Sequence, residues 1–77
     1  FQTSSLPATV GVISPGEYEF GTSKKETMTV ISGVLTVLLP GMEEWMTYGS
    51  GEFFEVAGQA SFKARTDIDT AYLCTYE

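Results

Sequence analysis

The run Thr29-Val30-Ile31-Ser32-Gly33-Val34-Leu35-Thr36-Val37 constrains the fold more than any other part of the chain. Two stretches rich in β-branched residues flank Ser32-Gly33, and such side chains favour extended backbone. The glycine offers positive φ at the junction. The expectation is a tight hairpin joining strands at Thr27–Ile31 and Val34–Leu39. Strand alternation sends Leu35, Val37 and Leu39 to one face and Val34, Thr36 and Leu38 to the other. Both faces are largely apolar, as in strands buried between layers.

The same residue types recur along the chain, with glycine and proline between them. Further strands are expected at Thr9–Ile13, Glu17–Phe20, Trp45–Tyr48, Phe53–Val56, Ala60–Ala64 and Ala71–Thr75. Ser14-Pro15-Gly16, Pro40-Gly41 and Gly49-Ser50-Gly51 read as turns. Only Gly41–Met46 is compatible with a helical turn. Tyr18 and Phe20 should point inward, with Glu17 and Glu19 outward. Phe62 and Ala64 should oppose Ser61, Lys63 and Arg65. The fold class is therefore all-β, a sandwich or barrel of short antiparallel strands, with 1–77 forming one domain.

Composition narrows the function. Ten acidic residues against four basic ones give a net charge of −6, which disfavours nucleic acid and anionic membranes as partners. No apolar run reaches the roughly 20 residues of a membrane span. The single cysteine, Cys74, forbids an intrachain disulfide and fits a reducing compartment, so a cytoplasmic location is expected. With no histidine in the chain, histidine-ligated zinc and His-based acid–base chemistry are excluded. A core this small usually needs a staple, and a second subunit is the one left. The chain opens with Phe1 rather than methionine, and a preceding segment is expected.

Several side chains have competing readings. Cys74, between apolar neighbours, reads as a small core residue because no base stands ready to activate it. Trp45, Met42 and Met46 read as core or as a subunit contact. Glu43-Glu44 reads as a solvated turn. Glu26 reads either as a site carboxylate or as a solvated strand-start charge beside Lys24 and Lys25.

Glu26, six residues and then Gly33 resemble the tail of the first cupin motif. In metal-binding cupins a His-x-His pair precedes that glutamate, at positions held here by Phe20 and Thr22. The second motif resembles Gly51, five residues and Ala57-Gly58, and its histidine would fall at Ser61 or Phe62. Non-ligands occupy all of these positions, so no metal or other cofactor is expected.

A longer match is more specific. Gly16-Glu17-Tyr18-Glu19-Phe20, the stretch from Glu26 to Gly33 and Leu35-Thr36-Val37-Leu38-Leu39-Pro40 resemble the cupin-type pyrimidine/purine nucleoside phosphorylases of bacteria. Trp45, Tyr48, Gly51, Phe54-Glu55-Val56, Gly58, Phe62 and Tyr72-Leu73-Cys74 extend the resemblance over essentially the whole chain. Ala57 departs from the family's usual proline.

The resemblance implies a cupin-like jelly roll, usually dimeric. It also implies metal-independent phosphorolysis of purine and pyrimidine nucleosides to ribose 1-phosphate and free base, with inorganic phosphate as co-substrate. By cupin position, Thr22, Glu26 and Ser61 face the lumen. Glu26 and Thr22 are then the candidate catalytic residues, and Glu26 would favour positive charge developing on the sugar. Tyr18 and Tyr72 would flank the base, with Ser61 also binding substrate. Arg65 would fork the phosphate, with Lys24, Lys25 or amides near Gly21 and Gly58 as alternatives. The competing reading is a metal-free cupin that binds a small polar ligand, such as a sugar or nucleotide, without catalysis.

Overall fold

The computed structural model describes residues 8–76. Eight strands run in chain order: β1 (Ala8–Ile13), β2 (Gly16–Thr22), β3 (Glu26–Ser32), β4 (Val34–Leu38), β5 (Met46–Gly49), β6 (Phe53–Val56), β7 (Ala60–Thr66) and β8 (Thr70–Tyr76). Each coincides with an expected strand. They form two four-stranded sheets, ordered β1-β8-β3-β6 and β2-β7-β4-β5, and all the pairings are antiparallel. Only the β4–β5 connection stays within one sheet; every other described connection carries the chain across to the facing sheet. That repeated crossing gives the jelly-roll character.

The expected hairpin at Ser32-Gly33 is not formed. β3 belongs to one sheet and β4 to the other, so the two runs are joined by a corner. Two local features turn the chain. The β3–β8 register slips between Val30 and Ser32, and Gly33 has φ +93°. A Cβ at Gly33 would lie 2.6 Å from Thr70 Oγ1 and 2.8 Å from the Asp69 carbonyl oxygen. Glycine is thus required for both conformation and approach. Thr70 Oγ1 fastens the corner, donating to the Val34 carbonyl at 2.9 Å and accepting from the Val34 N–H at 3.3 Å.

Pro40-Gly41 makes a tight turn rather than a helical one. The Met42 N–H donates to the Leu39 carbonyl at 3.0 Å, and Gly41 has φ +77°. Proline before a positive-φ glycine favours that turn.

Inward-facing side chains fill the space between the sheets. Met28 and Val30 from β3, Leu35 and Val37 from β4, Phe54 and Val56 from β6, and Phe62 and Ala64 from β7 are all buried. An aromatic seam crosses the interior: Tyr18 to Phe20 (centroids 6.2 Å apart), Phe20 to Phe62 (5.4 Å), Phe62 to Phe54 (5.9 Å) and Phe54 to Tyr48 (4.9 Å). Trp45 is half-buried and Met42 and Met46 are exposed, so these three stand outside the core.

The register defines two ends. Thr22, Glu26, Val56, Ala60 and Tyr76 gather at one, closed by the loops at 23–25 and 57–59. Gly16, Ser32, Val34, Thr66 and Thr70 gather at the other.

Candidate functional site

Glu26 opens β3 on the same inward face as Met28 and Val30, and is only 9% exposed. It is not the solvated strand-start charge of the alternative reading. A carboxylate so enclosed requires hydrogen-bond partners. Cys74, on β8, donates its thiol to Glu26 Oε1 at 3.2 Å. Burial, followed by the Glu26 carboxylate, pushes the Cys74 thiol up to about 11. Cys74 is thus a protonated core donor, as its apolar neighbours indicated. Beyond it, the Tyr76 and Thr9 hydroxyls share a bond of 3.1 Å.

Thr22 reaches the same end from β2. Its hydroxyl donates to the Ala57 carbonyl at 2.7 Å, with the Ala60 carbonyl a second acceptor at 3.1 Å. It also accepts from the Ala60 N–H at 3.0 Å. Those bonds clamp the β6–β7 turn, in which Gln59 is held at φ +55°. The turn packs closely on the β2–β3 loop, since a Cβ on Gly58 would lie 3.1 Å from the Lys24 carbonyl carbon. Lys25 extends outward to Glu55 at 3.6 Å.

Tyr18 and Tyr72 are half-buried on the inner wall. The Tyr18 hydroxyl donates to the Ser14 carbonyl at 2.8 Å, which draws it toward the far end. Tyr72 lies flat over β1, with its hydroxyl 2.6 Å from where a Gly11 Cβ would sit.

Ser61 and Arg65 do not join this group. β7 alternates strictly, with Phe62, Ala64 and Thr66 buried and Ser61, Lys63 and Arg65 exposed. The expectation that Ser61 faces the lumen is corrected: the pleat that buries Phe62 turns Ser61 outward. Arg65 pairs with Glu17, five residues along β2 from Thr22. At about 3.3 Å per residue, that separates Arg65 from Thr22 by roughly 16 Å along the sheet, on opposite faces. The structure therefore brings Glu26 and Thr22 together at one end and leaves Arg65 with neither.

No motif in the sequence marks Cys74 as the partner of Glu26. The available signal is alternation along β8, which puts Tyr72, Cys74 and Tyr76 on one face. Among the described residues, no group of three or more acidic, cysteine or histidine side chains could hold a metal.

Fold and site together define a cupin-type β fold whose interior presents a carboxylate and a thiol in place of a histidine cage. Residues 1–76 match the family model described as pyrimidine/purine nucleoside phosphorylase, and the chain belongs to that family. A Marinobacter nauticus protein of that name is 79% identical over 76 residues, covering 99% of this chain and 82% of the relative. A crystal structure from Vibrio parahaemolyticus superposes with a TM-score of 0.93 at 47% identity, over 100% of this chain and 82% of that one. A cupin-2 domain protein from Shewanella frigidimarina shares the fold alone, with a TM-score of 0.77 at 12% identity over 97% of this chain and 72% of that one.

Proposed function

We propose that this protein is a metal-independent nucleoside phosphorylase acting on both purine and pyrimidine nucleosides. The observation that carries the reading is Glu26, a buried carboxylate fixed by Cys74 inside the barrel. In the reaction, a phosphate oxygen bonds to the ribose C1′ as the C1′–N bond breaks. The bonding pair leaves with the base, whose nitrogen takes the proton that the attacking hydrogen phosphate gives up, and ribose 1-phosphate is released. Positive charge builds on the sugar as the base departs, and a preorganised carboxylate favours that state.

Thr22 holds the loop that walls Glu26; Tyr72, on the inner face of β8 with Cys74, offers a flat face that tolerates any base, whereas Tyr18 is tied to Ser14 at the far end. Arg65 is too far along the sheet to serve this carboxylate. Lys24 and the amides around Gly58, on the loops beside Glu26, are the better counter-charges for phosphate. With no histidine available and few clustered donors, catalysis rests on positioning and electrostatics.

We further propose that the enzyme is a cytoplasmic homodimer that binds neither nucleic acid nor membrane. Support for the dimer comes from the outer face of the β1-β8-β3-β6 sheet, where Val10, Val12, Ile31 and Phe53 are exposed. Contiguous exposed apolar surface of this kind marks association sites.

The test is free-base release from uridine and adenosine with and without phosphate, using the full-length protein free of added metal. Release that depends on phosphate is expected from both. No phosphate-dependent release from either, by folded protein, would leave the ligand-binding cupin as the better reading.

A further inference from the structure

A second feature lies outside the barrel. Val34, Thr36, Arg65, Thr66, Asp67 and Ile68 line an open depression of about 580 Å³, within the usual range of small-ligand sites. It belongs to the end of the molecule opposite Glu26. Its walls are preorganised. Thr66 Oγ1 donates to the Ile68 carbonyl at 2.9 Å and accepts from the Ile68 N–H at 3.3 Å. The bonds from Thr70 to Val34 then tie this loop to the Gly33 corner.

Arg65 is the feature that needs explaining. Its guanidinium lies 4.3 Å from the centroid of the Trp45 ring, which pins it as a flat plate. Among the described residues, no carboxylate lies within ion-pair distance of it. Lys63 stands two positions away on the same outer face, so half of the chain's four basic residues are gathered on this strand.

We propose that this depression is a binding site for a sugar phosphate, separate from the lumen. Arg65 would grip the phosphate through two parallel N–H donors, a geometry that lysine cannot reproduce. Asp67 disfavours a bare anion but accepts hydrogen bonds from hydroxyl groups, and Thr36 can donate or accept. Val34 and Ile68 cover the carbon face of the ring. An anion that also carries hydroxyls and a compact carbon skeleton satisfies all of these groups together. The class includes the product of the proposed reaction, but the inference does not depend on that activity.

Trp45 is the chain's only tryptophan and touches Arg65, so its emission reports on the site. Titration of the full-length protein with ribose 5-phosphate should give a saturable change, with amide NMR shifts concentrated at 34–36 and 65–68. Ribose alone should give none, and inorganic phosphate should bind more weakly. Arg65→Lys should weaken binding about tenfold, from loss of the bidentate fork, and Arg65→Ala should abolish it while circular dichroism confirms the fold. Three results would overturn the proposal: no saturable change, shifts confined to the Glu26 end, or unaltered binding by Arg65→Ala. Inorganic phosphate binding as tightly as ribose 5-phosphate would overturn the assignment to sugar phosphates. Because the readout is binding at Trp45 and not turnover, the outcome is independent of whether the protein proves to be a phosphorylase.

Discussion

The Cys74 thiol donates to Glu26 Oε1 across the β3–β8 pair, at 3.2 Å and almost wholly shielded from water. The register sets Met28 opposite Cys74 and Tyr76 opposite Glu26, so the contact is diagonal within one sheet face. This single relation makes Cys74 a donor rather than a nucleophile and leaves the second carboxylate oxygen of Glu26 for other work.

A pH dependence follows. The Cys74 thiol is pushed from 9.0 to about 11, first by burial and then by Glu26. The folded protein therefore keeps a proton that the unfolded chain loses, and stability must fall as pH rises between those values. The loss should be on the order of 2 kcal/mol across the window. Urea unfolding at a series of alkaline pH values should show it, and Cys74→Ala should flatten that part of the profile. Parallel profiles for the two proteins would remove the assignment.

Glu26 and Thr22 should respond differently to substitution. Glu26→Gln keeps an acceptor for Cys74 and should lower turnover on the order of 100-fold, with the fold intact. Thr22→Val leaves the Ala60 N–H without its acceptor and should cost about 1–3 kcal/mol of stability. Paired kinetics and thermal melts separate the two effects. A Glu26→Gln enzyme with undiminished turnover would take the carboxylate out of the mechanism.

Alternation read more of this protein than positional analogy did. It placed Phe62 and Ala64 inside and Ser61, Lys63 and Arg65 outside, and the structure agrees. Counting from metal-binding cupins put Ser61 in the lumen, one step out of phase with that pleat. Strand locations were legible because glycine and proline interrupt β-branched runs. Strand partners were not, because a glycine between two such runs serves a hairpin and a sheet-to-sheet corner equally well. The deciding contact is Gly33 against Thr70, far along the chain, and no local pattern encodes it.

That corner is itself testable. Gly33→Ala must adopt positive φ and place a methyl group 2.6 Å from Thr70 Oγ1, so a loss of about 3 kcal/mol or more is expected. Gly41 supplies the control. Its φ is also positive, but nothing lies within 4 Å of its missing Cβ, so Gly41→Ala should cost only about 1 kcal/mol. Thr70→Val, at a fully buried position, should cost about 1–3 kcal/mol by leaving the Val34 N–H unpaired. Equal losses at Gly33 and Gly41 would show that conformation alone, and not the approach to Thr70, requires glycine at the corner.

The outer face of the β1-β8-β3-β6 sheet supports the last prediction. Val10 sits opposite Leu73, Leu73 opposite Thr29, and Thr29 opposite Phe53, making one continuous row across all four strands. Val10 and Val12 are each 69% exposed and Phe53 is 60% exposed, with Ile31 nearby at 46%. β1 is also an edge strand without a charged residue or proline to discourage pairing. A two-fold contact would cover such a row with its own copy. Sedimentation should then give a dimer at micromolar concentration. Val10→Lys combined with Phe53→Lys should produce a folded monomer, since both side chains point away from the core. A wild-type protein that sediments only as a monomer would refute the dimer. A double variant that remains dimeric would move the contact to another face.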